Sequence, residues 1–286
     1  MTPCPVLASI ACWPTESIVY MAAAGLLSVG VLVGISRMSR PETAVAGNRL
    51  GAACMLAAIA LTLWHFRIAT VPDLWIAMLI GGIAGTALTR SVRMIQMPQM
   101  VGLLNGFGGA ASMIAGILTL LDAGPNDPFA RLAAGLAVGV GSLTFSGSAV
   151  AAGKLHKWLP PQPQILPGHP FWTALALALA GVAALLTPLD HFEAAGAAGN
   201  AGPLLPILLG TAAGGGFGLL VAMRVGGADM PITISLLNAL SGVAGAIAGM
   251  AIADPLLVAV GGIVGASGLL LTRIMCRAMN RALVDI

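Results

Sequence analysis

Apolar runs of roughly 18–24 residues follow one another along almost the whole chain, and short breaks between them hold nearly all of its charge. At about 1.5 Å of rise per helical residue, each run can cross a hydrocarbon core of about 30 Å. With 58% apolar residues, 8% charged residues and a mean hydropathy of +0.97, the chain falls outside the soluble globular class. Cutting at charges, prolines and loop clusters gives nine helices, at roughly 17–35, 48–65, 73–90, 98–121, 130–153, 170–187, 203–223, 231–253 and 255–275. The expected fold is an all-α polytopic membrane protein of about nine transmembrane helices. Residues 1–16 read as an extracytoplasmic segment, 17–276 as the bundle and 277–286 as a cytoplasmic stub. The N-terminus lacks the basic start of a signal peptide, so the first run reads as a retained helix.

Charge sets the expected orientation. One set of alternate loops receives Arg37, Arg40, Arg49, Arg90, Arg93, Lys154, Lys157, Arg224, Arg273, Arg277 and Arg281. The other receives only Arg67 and Arg131, and holds Glu16, Asp73, Asp122, Asp127, Asp190, Glu193 and Asp254. Basic loops stay on the cytoplasmic side, so the N-terminus is expected outside and the C-terminus inside. An even number of helices would break this alternation. The net charge of +3 says little by itself, and no nucleic-acid partner is expected.

The chain also repeats itself. Met97-Pro98-Gln99-Met100-Val101-Gly102-Leu103-Leu104-Asn105 and Met230-Pro231-Ile232-Thr233-Ile234-Ser235-Leu236-Leu237-Asn238 open two stretches with ten identities in twenty positions. Val138-Gly139-Val140-Gly141 resembles Val258-Ala259-Val260-Gly261, and the Gly-rich third helix resembles the seventh. Helices three to five (about 73–153) therefore read as duplicated in seven to nine (about 203–275), in parallel orientation. Small residues four apart, as at Gly102/Gly106, Gly245/Gly249 and Gly261/Gly265, suit close helix packing.

Each copy of the repeat carries one Asn about two turns inside an apolar segment. An amide there needs a partner or water. Asn105 and Asn238, with Ser146, Ser148 and Thr144 in the fifth helix, thus read either as interhelical hydrogen-bond glue or as the lining of a hydrated path. The duplication favours the path. Neither amide nor hydroxyl titrates near neutral pH, so such a path would carry water and store no proton on these groups. His65, His156, His169 and His191 all lie near span ends or in loops. Gly106-Phe107-Gly108-Gly109-Ala110-Ala111 spells a dinucleotide string, but inside an apolar helix no pyrophosphate could reach it. No phosphate loop, nucleophile elbow or metal-ligand spacing occurs, and Cys4, Cys12, Cys54 and Cys276 show none either. The expectation is no catalytic residue, no metal and no bound cofactor in this chain. Asp229 stands just before the eighth helix, where an acid favours the N-terminus, and Arg277 and Arg281 leave the last helix as snorkelling anchors or as the root of a linker.

Several of these strings together resemble the beta subunit of proton-translocating NAD(P) transhydrogenase. They are Met-Pro-x6-Asn-Gly-Phe-Gly-Gly from Met97, Phe145-Ser146-Gly147-Ser148-Ala149-Val150-Ala151-Ala152-Gly153-Lys154-Leu155, Gly226-Gly227-Ala228-Asp229-Met230-Pro231 and Met275-Cys276-Arg277-Ala278-Met279-Asn280-Arg281. Ser39-Arg40-Pro41-Glu42-Thr43-Ala44 is similar too, and the resemblance covers about residues 17–283. It implies a membrane domain that carries protons while hydride passes between NADH and NADP+, with NAD(H) held by an alpha subunit and NADP(H) by a soluble domain following the last helix. That domain is expected to be missing from these 286 residues. The resemblance further implies a dimer of alpha-beta units in a bacterial inner membrane. It places Asn105 at the central relay position, which is His in some members, with Asn238 as the second polar position and Ser148 as the hydroxyl near the cytoplasmic side. Asp229, Arg277 and Arg281 match positions facing the NADP(H) domain, and Gly261, Gly265 and Gly268 match the glycine face of the last helix. Asn instead of His at 105 puts a titrating role there in doubt. The competing classes are a stand-alone secondary transporter of parallel three-helix repeats and a degenerate paralogue that only binds partner subunits. The Gly-Gly-Ala-Asp-Met-Pro loop and the charged C-terminal exit speak against the transporter, which needs neither.

The orientation is testable. A cysteine placed in the 155–168 loop is expected to resist an impermeant thiol reagent added outside whole cells, and one in the 190–200 loop to react. The reverse labelling pattern overturns the orientation.

Overall fold

The structure, a computed structural model, describes residues 15–122, 127–189 and 204–280, with side chains from Ile18 onward. Cys4, Cys12, Asp190, His191, Glu193 and Arg281 lie outside the described residues. Those residues form nine long helices: α1 (Thr15–Met38), α2 (Ala44–His65), α3 (Pro72–Ser91), α4 (Met97–Leu121), α5 (Pro128–Leu155), α6 (His169–Leu186), α7 (Leu204–Arg224), α8 (Met230–Ala251) and α9 (Pro255–Ala278). All nine are long and apolar enough to span a membrane. The clearest departures from the sequence reading are at α2, which begins four residues earlier, and at α1 and α9, which each end three later. A charge marks where hydrocarbon ends, whereas helical hydrogen bonding continues into the interface.

Local chemistry explains the helix starts. Proline occupies one of the first two helical positions of α4, α5, α6, α8 and α9, where its missing N–H would have had no intrahelical acceptor. Two of these starts are also capped by an acid side chain. Asp127 accepts from the Phe129 amide at 3.1 Å, and Asp254 accepts from the amides of Leu256 at 2.9 Å and Leu257 at 3.4 Å.

Two compact units divide between Ser91 and Val92. In the first, α1 and α2 pack through glycine: a methyl on Gly47 would stand 2.6 Å from the Gly34 carbonyl. Buried Cys54 seats against Gly30, and Tyr20 stacks on His65 with ring centres 4.0 Å apart. Within this unit α3 buries none of its residues.

In the second unit α5 is the hub, packed against α4, α6, α7 and α8, while α8 also meets α4 and α9. Their seams bring backbone onto backbone. A methyl on Gly109 would lie 2.8 Å from the Gly141 carbonyl across α4 and α5, and one on Gly261 would lie 2.5 Å from the Ala246 amide across α8 and α9. Gly214 and Gly218 of α7 sit as closely on the Gly139 and Leu143 carbonyls of α5. Lipid tails are as apolar as leucine, so association here rests on such close van der Waals approach. The antiparallel packing gathers Gln99, Lys154, Arg224, Asp229 and Arg273 at one end of the unit. Asp122, Asp127, Arg131 and Asp254 lie at the other.

The α8–α9 seam yields a stability test. Gly261→Leu would drive a side chain into the α8 backbone, whereas Gly262→Leu meets open space. Gly261→Leu is expected to cost about 3 kcal/mol or more, at or above the usual range for overpacking, and to lower the thermal midpoint in detergent. Gly262→Leu should leave it near the parent; equal midpoints for the two variants would contradict the seam.

Candidate functional site

At the α4–α5–α8 crossing an intramembrane amide reaches from one helix to another. Asn105, half-buried on α4, donates from Nδ2 to the Ile234 carbonyl of α8 at 3.4 Å, a long hydrogen bond. Asn238 lies four residues, about one turn, beyond Ile234 on α8. Asn238 is likewise half-buried. Gly108 opens space for α8 one turn further along, since a methyl there would stand 2.7 Å from Ser241 Oγ.

Ser148 of α5 completes the cluster from the third side. It is 0% exposed, and a methyl on Gly106, the neighbour of Asn105, would lie 3.1 Å from its Cβ. Ser112 and Thr144 turn back to carbonyls four residues earlier, at 3.1 and 2.8 Å. Ser148 does not: its Oγ is a buried polar atom with no partner among the described residues. Leaving such a hydroxyl unpaired costs about 1–3 kcal/mol, which a hydrogen-bonding guest such as water would recover. The geometry therefore offers an amide, a free hydroxyl and a shared carbonyl, all neutral, able to pass hydrogen bonds along a chain of water.

The structure separates the two serines. Ser146 donates to the Gly215 carbonyl of α7 at 2.8 Å, on the side of α5 away from the asparagines. Two residues apart on a helix means about 200° of rotation, so they serve different seams. Gly261, Gly265 and Gly268 form the α9 face against α8, where added methyls would lie within 3 Å of α8 atoms. Asp229 is the residue before the first turn of α8; its carboxylate makes no capping hydrogen bond there, and its backbone carbonyl takes the amides of Ile232 and Thr233. Arg277 is exposed at the end of α9. Gly106 to Ala111 run mid-helix in α4, with no strand before them.

Sequence reasoning passed over the buried pair Thr272 and Ser235, whose hydroxyls are hydrogen-bonded at 2.9 Å between α9 and α8. Ser235 stands three residues before Asn238, hence on the same helix face, and that spacing was a usable signal. Nothing in the sequence singles out Thr272.

Comparison with known proteins bears on this arrangement. Residues 17–286 match the NAD(P) transhydrogenase beta subunit family. The chain belongs to that family. Two curated relatives, both the NAD(P) transhydrogenase subunit beta of Rhodospirillum rubrum, are 32% identical to it over 274 residues. The match covers 93% of this chain and 57% of those relatives, so the chain corresponds to little more than half of their length. With nine candidate spans, this member of the beta subunit family is a multi-pass membrane protein.

The two hydroxyl sites make opposite predictions for stability. Ser148→Ala removes an unpaired buried group and is expected to hold or raise the thermal midpoint of the purified protein. Thr272→Val, close in shape, breaks the link to Ser235 and is expected to cost about 0.6–2 kcal/mol. A lower midpoint for Ser148→Ala would show that its hydroxyl is paired.

Proposed function

We propose that this chain is the membrane, proton-conducting part of a transhydrogenase, coupling proton movement to hydride transfer between NADH and NADP+. The observation that carries the reading is the crossing of α4, α5 and α8. Asn105 donates there to the Ile234 carbonyl, one turn before Asn238 on α8, and Ser148 contributes a buried hydroxyl without a partner among the described residues. An unpaired hydroxyl is costly at membrane depth, and a water there would satisfy it, which supports a hydrated site. Both nucleotides are held elsewhere: NAD(H) by an alpha subunit and NADP(H) by a soluble domain reached from the end of α9. Asp229 and Arg277, together with Arg281 by family resemblance, are the residues on which that soluble domain acts, and its nucleotide state biases the path. The crossing conducts through neutral groups, so any group that itself binds the proton belongs to a partner chain.

The same reading assigns the rest. The Gly109/Gly141 contact of α4 and α5 and the Gly242/Gly261 contact of α8 and α9 involve residues that match in the sequence repeat, which supports a duplicated origin for α3–α5 and α7–α9. The basic end of the second unit faces the cytoplasm of a bacterial inner membrane, with the N-terminus outside. The working assembly is a dimer of alpha-beta units.

The test uses the complex rebuilt in vesicles with the alpha subunit and an NADP(H) domain. Asn105→Leu and Asn238→Leu keep the approximate volume and remove the hydrogen-bonding groups. Each is expected to slow proton pumping about tenfold or more, the rate equivalent of roughly 1.4 kcal/mol on the barrier. Hydride exchange that needs no proton passage should change much less, and Asn→Ser should retain part of the pumping. Parent-like pumping in both Leu variants would leave the asparagines as packing glue.

A further inference from the structure

A lysine buried in the second unit is left unused by the site described above. Lys154, in the last turn of α5, is 2% exposed. Its Nζ donates to the carbonyls of Met223 at 2.6 Å and Val225 at 2.8 Å. These carbonyls lie at the C-terminus of α7, where backbone acceptors have no intrahelical partner and the helix dipole favours a cation. A buried ammonium is costly unless it is hydrogen-bonded, so the position of Lys154 depends on those two acceptors.

What the lysine holds is the turn that starts α8. Residues 223–229 are gripped from a second side by the 159–164 strap. Gln164 donates its amide to the Met223 carbonyl at 2.9 Å, and the Gly227 amide donates to Pro161 at 2.8 Å. Gly226 packs on Pro163. At the same end of α5, Gln99 Nε2 donates to the Leu155 carbonyl at 2.9 Å, tying in the start of α4. Lys154 and Gln99 each stand six residues, about 9 Å of helix, from a member of the polar cluster: Ser148 on α5 and Asn105 on α4. The path from the turn to the cluster thus runs through two polar links and two stiff helices.

We propose that Lys154 is a positioning residue, latching the Gly226-Gly227-Ala228-Asp229 turn to α5 so that a displacement of the turn shifts Ser148, and through Gln99 also Asn105. This rests on the proton-conducting reading, since it names how the turn in front of α8 acts on that crossing. The latch touches neither nucleotide nor proton. It makes the crossing and the turn move as one body.

The experiment compares Lys154→Met, which keeps the apolar stem without the donors, with Lys154→Arg, which can still address two carbonyls. Amide hydrogen exchange of the purified chain is read at residues 223–229. It is expected to speed up about tenfold in the Met variant, the equivalent of about 1.4 kcal/mol, with substantial restoration in the Arg variant. In the complex rebuilt with the alpha subunit and NADP(H) domain, the Met variant is expected to lose pumping about tenfold while retaining hydride exchange that needs no proton passage, again with rescue by Arg. Unchanged exchange at 223–229 overturns the latch. Faster exchange there with pumping at the parent's level overturns its coupling role. A Met variant in which pumping and proton-independent hydride exchange fall together, or in which Arg gives no rescue, also overturns it in favour of a merely structural lysine. A parent complex that moves no protons defeats the functional reading instead, and exchange at 223–229 then decides the latch on its own.

Discussion

The second unit depends on helices coming close enough for backbone to rest on backbone. In hydrocarbon there is no solvent to drive apolar side chains together, so attraction has to come from many short contacts between surfaces that fit. Glycine makes that possible at Gly109 on Gly141, at Gly242 on Gly261, and at Gly214 and Gly218 on the α5 backbone. Because these seams leave little room for sliding, they fix which residues of α4, α5 and α8 share a level. Asn105 reaches a carbonyl of α8 for this reason, and Ser148 packs beside Gly106 with its hydroxyl unanswered.

Polar groups at the crossing and at its basic end follow different rules. At the end of α5, Lys154 and Gln99 satisfy carbonyls that helix ends leave open, and so convert an electrostatic need into mechanical connection. At the crossing the groups are neutral and incompletely paired, which suits the passage of hydrogen bonds better than the storage of charge. On the proposed reading, a proton path with no ionised side chain of its own avoids the cost of a charge at membrane depth, and it leaves control to whatever sets the spacing of the helices. The turn before α8 is the part of this unit best placed to do so, being bonded both to α5 and to the 159–164 strap.

Much of the architecture was legible in the chain. Length, hydropathy and the placement of proline and charge specify nine helices, because in lipid each segment must satisfy its own backbone and its ends must carry the polar residues. The similarity of two sequence stretches drew attention to Asn105 and Asn238, and family resemblance to Ser148, as candidates. What stayed hidden was partnership. Ser146 and Ser148 looked like one hydroxyl cluster, although helical rotation alone turns them to different neighbours, α7 and α4. Lys154 read as one more basic residue in a loop count, and Thr272 as nothing at all. By itself, then, the sequence determined the number and approximate limits of the described helices, since those obey local rules of rise, solvation and capping. Only the tertiary structure decided which hydroxyl is paired with Ser235, which is left alone beside Asn105, and which carbonyls receive the lysine. Those facts depend on where two helices cross, and the crossing is set by the summed contacts of whole surfaces and not by any short stretch of residues.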